Sequence, residues 1–209
     1  MNKTVRFYFS FRSPYSWLAT FRIYHLEDKL PVSFDLVPVF PPKDYKNDPE
    51  TQLNKKDYIR NDVKRIANAY GLNVCFPNPF DTNWVRPHSA FLYANDQKKG
   101  PEFILAMYSA RFLEGYDIGS DKIMKMIAEK LGLDPLKILK AADDKKFHKY
   151  ILRGLSQAGD DKIFGVPTFI YGDQMYWGND RLEWLFRDIY RDTGQTVPNL
   201  SNDLFARPY

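Results

Sequence analysis

The residues with the clearest chemical potential are Ser13-Pro14-Tyr15-Ser16, in the stretch FYFSFRSPYSWL. Two hydroxyls bracket a proline that suits the first turn of a helix, where its missing N–H costs nothing. The N-terminus of a helix attracts anions through its backbone N–H groups and its dipole. A serine there can aim its hydroxyl at a bound group. A serine there is also a favoured cap, and the residues alone leave both readings open.

Other chemistries are excluded by count. One cysteine, Cys75, cannot form an internal disulfide, and it suits a reducing compartment. With His25, His88 and His148 scattered along the chain, it makes no zinc pattern. The net charge is only +4, and lysines and arginines alternate with acids, as in NKKDYIRNDVKR. That pattern reads as solvated helix faces rather than a nucleic-acid surface. No apolar run is long enough for a transmembrane helix, and no signal peptide is visible. A cytoplasmic protein is the expectation.

Positioning these residues requires a particular order of elements. Thr4–Phe11 alternates and reads as a strand. A helix entered at Pro14 runs to about Lys29. PVSFDLVPVF reads as a second strand, with Pro38 marking an edge or strand end. About a hundred residues of helical pattern follow. Ile59, Val63, Ile66, Ala67 and Tyr70 fall on one face before Gly71. Further helices begin at Pro101, Asp121 and Asp134-Pro135. VPTFIYG and QMYWG then flank Gly172-Asp173, a hairpin signal. Asp180 opens a last helix, in capping-box spacing with Glu183. The simplest reading is a small α/β sheet, residues 1–40 and 156–209, with a helical insertion over 41–155.

In this order the chain resembles the thioredoxin-like fold of DsbA type. FYFSFRSPYSWL resembles the opening of kappa-class glutathione transferases and of 2-hydroxychromene-2-carboxylate isomerases. FGVPTFIYGDQMYWGNDRLEWL resembles their C-terminal signature, and NKKDYIRNDVKRIANAYGLNVCFP and FLEGYDIGSDKIMKMIAEKLGLDP match their helical insertion. The implied cofactor is glutathione, and the implied assembly is a homodimer.

The resemblance also implies roles. Ser13 would donate a hydrogen bond to the glutathione thiolate, with Pro14 and Tyr15 beside it. Val166 would offer its backbone N–H and C=O to the cysteinyl part, ahead of a cis Pro167. Asn179 and Asp180 would receive the γ-glutamyl end. Asn47 would meet the glycyl end. Lys55, near the start of the next helix, would pair with a carboxylate or be an ordinary solvated lysine. Phe76, Phe80 and Trp84 in the Asn73–Arg86 loop would line an apolar substrate pocket or belong to the core. NPFDTNW departs from the family's usual proline-rich phenylalanine motif. Cys75 is expected to be buried and not catalytic.

Three function classes compete. A glutathione-dependent isomerase or transferase would act on a small aromatic or conjugated electrophile. A thiol–disulfide oxidoreductase of the wider fold is opposed by serine at both cysteine positions of the turn. A binding protein that kept the fold and lost catalysis is the third.

Overall fold

The computed structural model describes residues 3–26, 30–40 and 52–196. β1 (Lys3–Phe9) alternates, but its inner end is buried almost throughout, with Phe7, Tyr8 and Phe9 all fully covered. α1 (Pro14–His25) follows, and then β2 (Val32–Pro38), which pairs parallel to β1. β3 (Thr168–Tyr171) lies antiparallel on the other side of β1, and β4 (Gln174–Trp177) closes the hairpin with Gly172 at φ 58°. The order is β2-β1-β3-β4, so Pro38 ends an edge strand, where a missing donor is tolerated.

Between β2 and β3 the chain forms α2 (Leu53–Ala69), α3 (Val85–Asp96), α4 (Gly100–Phe112), α5 (Asp121–Lys130), α6 (Pro135–Asp143) and α7 (Lys145–Asp160). A 3-10 turn (Asn179–Arg181) and α8 (Leu182–Thr193) follow the hairpin. Local chemistry sets these limits. Ser13, Ser120 and Asp134 cap α1, α5 and α6 through their side chains. Gly71 and Gly132 stop α2 and α5 with positive φ, which glycine adopts without strain.

Two differences from expectation bear on the helices around the site. α1 ends at His25 rather than near Lys29, because Leu26 turns its N–H back to the Ile23 carbonyl at 3.0 Å. α3 was not anticipated, and it takes in Val85 and Arg86 from the end of the expected Asn73–Arg86 loop; Pro87 is its third residue, still within the turn that needs no N–H donor.

One apolar cluster joins the sheet to the inserted helices. Phe7 stacks on Phe169 at 4.6 Å, Phe9 meets Phe91 of α3 edge-on at 5.0 Å, and Trp17 stacks on Phe112 of α4 at 5.2 Å. The helices between β2 and β3 therefore share their packing with the element that carries the Ser13 turn.

Candidate active site

The Ser10–Ser13 turn is held from several sides. Ser13 N–H donates to the Ser10 carbonyl at 3.0 Å. The Tyr108 hydroxyl of α4 donates to the same carbonyl at 2.8 Å. His88 of α3 accepts the Phe11 N–H on Nε2 at 3.2 Å and donates from Nδ1 to the Trp84 carbonyl at 2.6 Å. Both bonds require a neutral imidazole. Full burial supplies it, lowering the His88 pKa to about 4. His88 is thus a core residue that fixes the turn.

Ser13 serves two partners. Its Oγ accepts from the Ser16 N–H at 3.1 Å, as an N-cap does, and donates to the Val166 carbonyl at 3.4 Å. The second contact is long, so a stronger acceptor can replace it. The Val166-Pro167 peptide is cis, and it faces this helix end as the sequence suggested. Ser16 is fully buried within the helix.

Ser13, Pro14, Tyr15 and Val166 open into a cavity of about 590 Å³. Its lining is largely apolar, with Phe40, Phe76, Phe80, Leu155 and Ile163, and its basic residues are Arg12 of the Ser13 turn and Lys55, Lys56 and Arg60 of α2. Arg12 bonds Asp81 through Nε at 2.9 Å. Burial pulls the Asp81 carboxyl up, but the Arg12 contact and the Trp84 indole leave its pKa lowered. Arg12 and Arg60 both lie over the Phe80 ring, 5.8 and 6.0 Å from its centre.

The Tyr15 hydroxyl donates to Asp62 of α2 at 2.8 Å. Burial first, and then that carboxylate and the nearby Asp180, raise the phenol's pKa, so it stays protonated. Asn179 is buried and faces inward: Arg22 of α1 donates to its carbonyl at 2.6 Å and to its Oδ1 at 3.4 Å. Asp180 is exposed and pairs with Arg181 at 2.8 Å. The expected capping box is absent. α8 starts at Leu182 without a side-chain cap, because Glu183 reaches across to Arg22 at 2.8 Å instead.

The cavity thus gathers Ser13, Pro14, Tyr15, Val166 and Lys55. Phe76 and Phe80 line it, whereas Trp84 stands behind them with Arg111 against its ring at 4.6 Å. Asn47 lies outside the described residues. Cys75 is exposed, contrary to expectation. Leu72, Val74 and Phe76 pack on the core in an extended run, so the residue between the last two faces out, although its N–H is tied to the Phe112 carbonyl at 2.7 Å. Sequence reading missed Arg12, Arg22, Arg60 and Asp62. Only Arg60 left a signal, since it follows Ile59 on the helix face that looks toward the site.

A four-stranded sheet with a helix N-terminus facing a cis-proline loop, and serine where a dithiol would need cysteine, defines a thioredoxin-fold protein without dithiol chemistry at this turn. The model of the DSBA-like thioredoxin domain matches residues 4–189, and the chain belongs to that family. It is 29% identical over 190 residues to 2-hydroxychromene-2-carboxylate isomerase of Pseudomonas putida, covering 85% of this chain and 90% of that one. A solved 2-hydroxychromene-2-carboxylate isomerase superposes with a TM-score of 0.83 at 26% identity, covering 91% and 96% of the two chains. The fold is also shared by the cytosolic disulfide reductase DsbM from Pseudomonas aeruginosa, solved with GSH, at a TM-score of 0.66 and 13% identity over 91% and 97% of the chains.

Proposed function

We propose that this protein is a glutathione-dependent isomerase acting on a small aromatic or conjugated electrophile that carries a carboxylate. One observation carries the reading: Ser13 caps α1 beside the Val166 carbonyl, in a cavity with a largely apolar lining and a basic side. The isomerase relatives, and the fold relative solved with GSH, support it.

The residues present suit glutathione. The exposed Asp180 matches an ammonium group, the start of α1 matches a thiolate, and the Arg12, Lys55 and Arg60 side matches carboxylates. Bound glutathione would supply a thiolate that adds reversibly to a conjugated double bond and so permits rotation about it. Ser13 would turn its hydroxyl from the Val166 carbonyl to that sulfur. A free thiol has a pKa of about 8.5, and each unit of lowering requires about 1.4 kcal/mol. A charged hydrogen bond contributes about 1.5–3 kcal/mol, enough to hold a thiolate near neutral pH. Val166 offers its backbone to the cysteinyl part. Tyr15, kept protonated, holds Asp62, and Asp180 lies close enough to act on the same hydroxyl. The basic side takes the substrate's carboxylate, and the apolar lining that includes Phe76 and Phe80 keeps water from it. The working unit carried with this proposal is a homodimer, which a monomer in sedimentation at micromolar concentration would oppose.

The test has two stages. The protein should be retained on immobilised glutathione. It should then convert a carboxylated enone to its geometric isomer, with glutathione recovered unchanged by mass spectrometry. A glutathione adduct as product would assign it to transfer rather than isomerisation. Absence of retention would reject both.

A further inference from the structure

One part of the cavity is not used by the reaction above. Phe164 and Trp177 line it next to Val166. Both are large aromatics left 62% and 52% exposed. Their rings meet edge-on, with centroids 4.9 Å apart. Exposed apolar surface gathered at the rim of a cavity marks a binding site more often than a packing defect.

The backbone under this pair is fixed. Trp177 ends β4 opposite Thr168. The next residue, Gly178, donates its N–H to the Pro167 carbonyl at 2.9 Å. Gly165 lies directly beneath the indole, where an added Cβ would sit 2.6 Å from Nε1. The indole holds its place because residue 165 has no side chain. The hairpin therefore presents an aromatic face on the cis-proline side of the cavity, while α2 brings Lys55, Lys56 and Arg60 to it.

We propose that Phe164 and Trp177 form the stacking wall for the planar ring of the electrophilic substrate, with Gly165 a specificity determinant that keeps the indole in position. This rests on the cavity being the substrate site, but not on glutathione occupying it. The indole offers a large π face to a flat conjugated ring, in offset or edge-on contact. The basic residues of α2 would orient such a ring by its carboxylate. Selectivity then divides between the two groups, charge in one and planarity in the other.

The probe is 1-naphthoate, titrated without glutathione and followed by tryptophan fluorescence, with cyclohexanecarboxylate as a non-planar anion of the same charge. The expected result is saturable quenching by naphthoate and little by the cyclohexane acid. Trp177→Leu should weaken naphthoate binding at least about fivefold and remove most of the quench. Gly165→Ala should displace the indole and weaken binding by a similar factor, with circular dichroism unchanged. Trp184→Leu should leave the affinity within twofold, because this equally exposed tryptophan sits on α8 outside the cavity lining. The proposal is overturned if Trp177→Leu and Gly165→Ala both bind naphthoate as the parent does, or if the parent shows no saturable quench. Retention on immobilised glutathione, measured on the same proteins, keeps the two ideas apart. Lost retention with normal naphthoate binding would reject the cofactor and spare the wall.

Discussion

The two sides of the cavity are built differently. The side made by the Ser13 turn and the Val166 loop is fixed by hydrogen bonds from the buried Tyr108 and His88, and behind it Arg22 holds the Asn179 turn, whose neighbour Gly178 bonds the Pro167 carbonyl. The side made by α2 presents Lys55, Lys56, Ile59 and Arg60, and the fully buried residues of that helix, Val63 and Ala67, lie beyond them toward its C-terminus. Groups that must meet a developing charge gain most from a preorganised frame. Groups that sort substrates can sit on a surface that adapts. The difference teaches where the proposed roles fall: the reacting thiolate would lie against the fixed side, and the substrate's carboxylate would be sorted by the α2 side.

The comparison breaks most visibly at Arg22. Arg22→Met leaves the buried Asn179 carbonyl and side chain without their donor, and an unsatisfied buried group costs about 1–3 kcal/mol. Urea unfolding should show a loss of about 2–4 kcal/mol, and glutathione affinity should fall with it. Arg60→Met on the α2 side should change stability by less than about 1 kcal/mol. Equal losses at the two positions would remove the distinction.

The pH dependence comes next. Burial depresses the His88 pKa to about 4 from the ordinary 6.5, so between these values the unfolded chain binds the extra proton. The stabilisation is complete above pH 6.5 and is lost as pH falls toward 4, at up to about 1.4 kcal/mol per unit. Urea midpoints at pH 7, 6 and 5 should fall along this slope, and more gently in His88→Gln, which cannot take the proton. Parallel slopes in the two proteins would contradict the assignment.

Smaller effects belong to the α2 side. Lys55→Met should raise the KM for a carboxylated substrate by about three- to tenfold, a loss of about 0.6–1.4 kcal/mol, and leave kcat within twofold. An unchanged KM would place the carboxylate elsewhere. Smallest is Cys75→Ser: an exposed thiol outside the cavity lining should alter neither activity nor stability by more than about 0.5 kcal/mol. Lost activity in the folded variant would make Cys75 functional.

Much of this was legible in the chain because the signals are local. A proline after a serine starts α1 and Gly172-Asp173 makes the hairpin, while the cis Val166-Pro167 peptide was implied by the family resemblance rather than by the residues alone. What escaped depends on contacts between distant residues. Glu183 has the spacing of a cap partner, but it answers to Arg22, 161 positions earlier. Asn179 has the polarity of a ligand contact, yet its carbonyl and amide oxygen face the same arginine. Cys75 looked like a core residue until its neighbours' alternate packing turned it outward. Pro87 hid α3 because a proline in a first turn and a proline in a loop read alike.

The central claim is that Ser13 exists to hold a thiolate as well as to cap α1. The direct measurement is the ultraviolet titration of glutathione bound to the parent protein and to Ser13→Ala. The account predicts near-equal affinity for the two proteins and an apparent thiol pKa about 1–2 units higher in the variant, the size of one charged hydrogen bond. The same titration curve in both proteins, together with a drop in thermal stability of the variant, would reduce Ser13 to a helix cap and contradict the account.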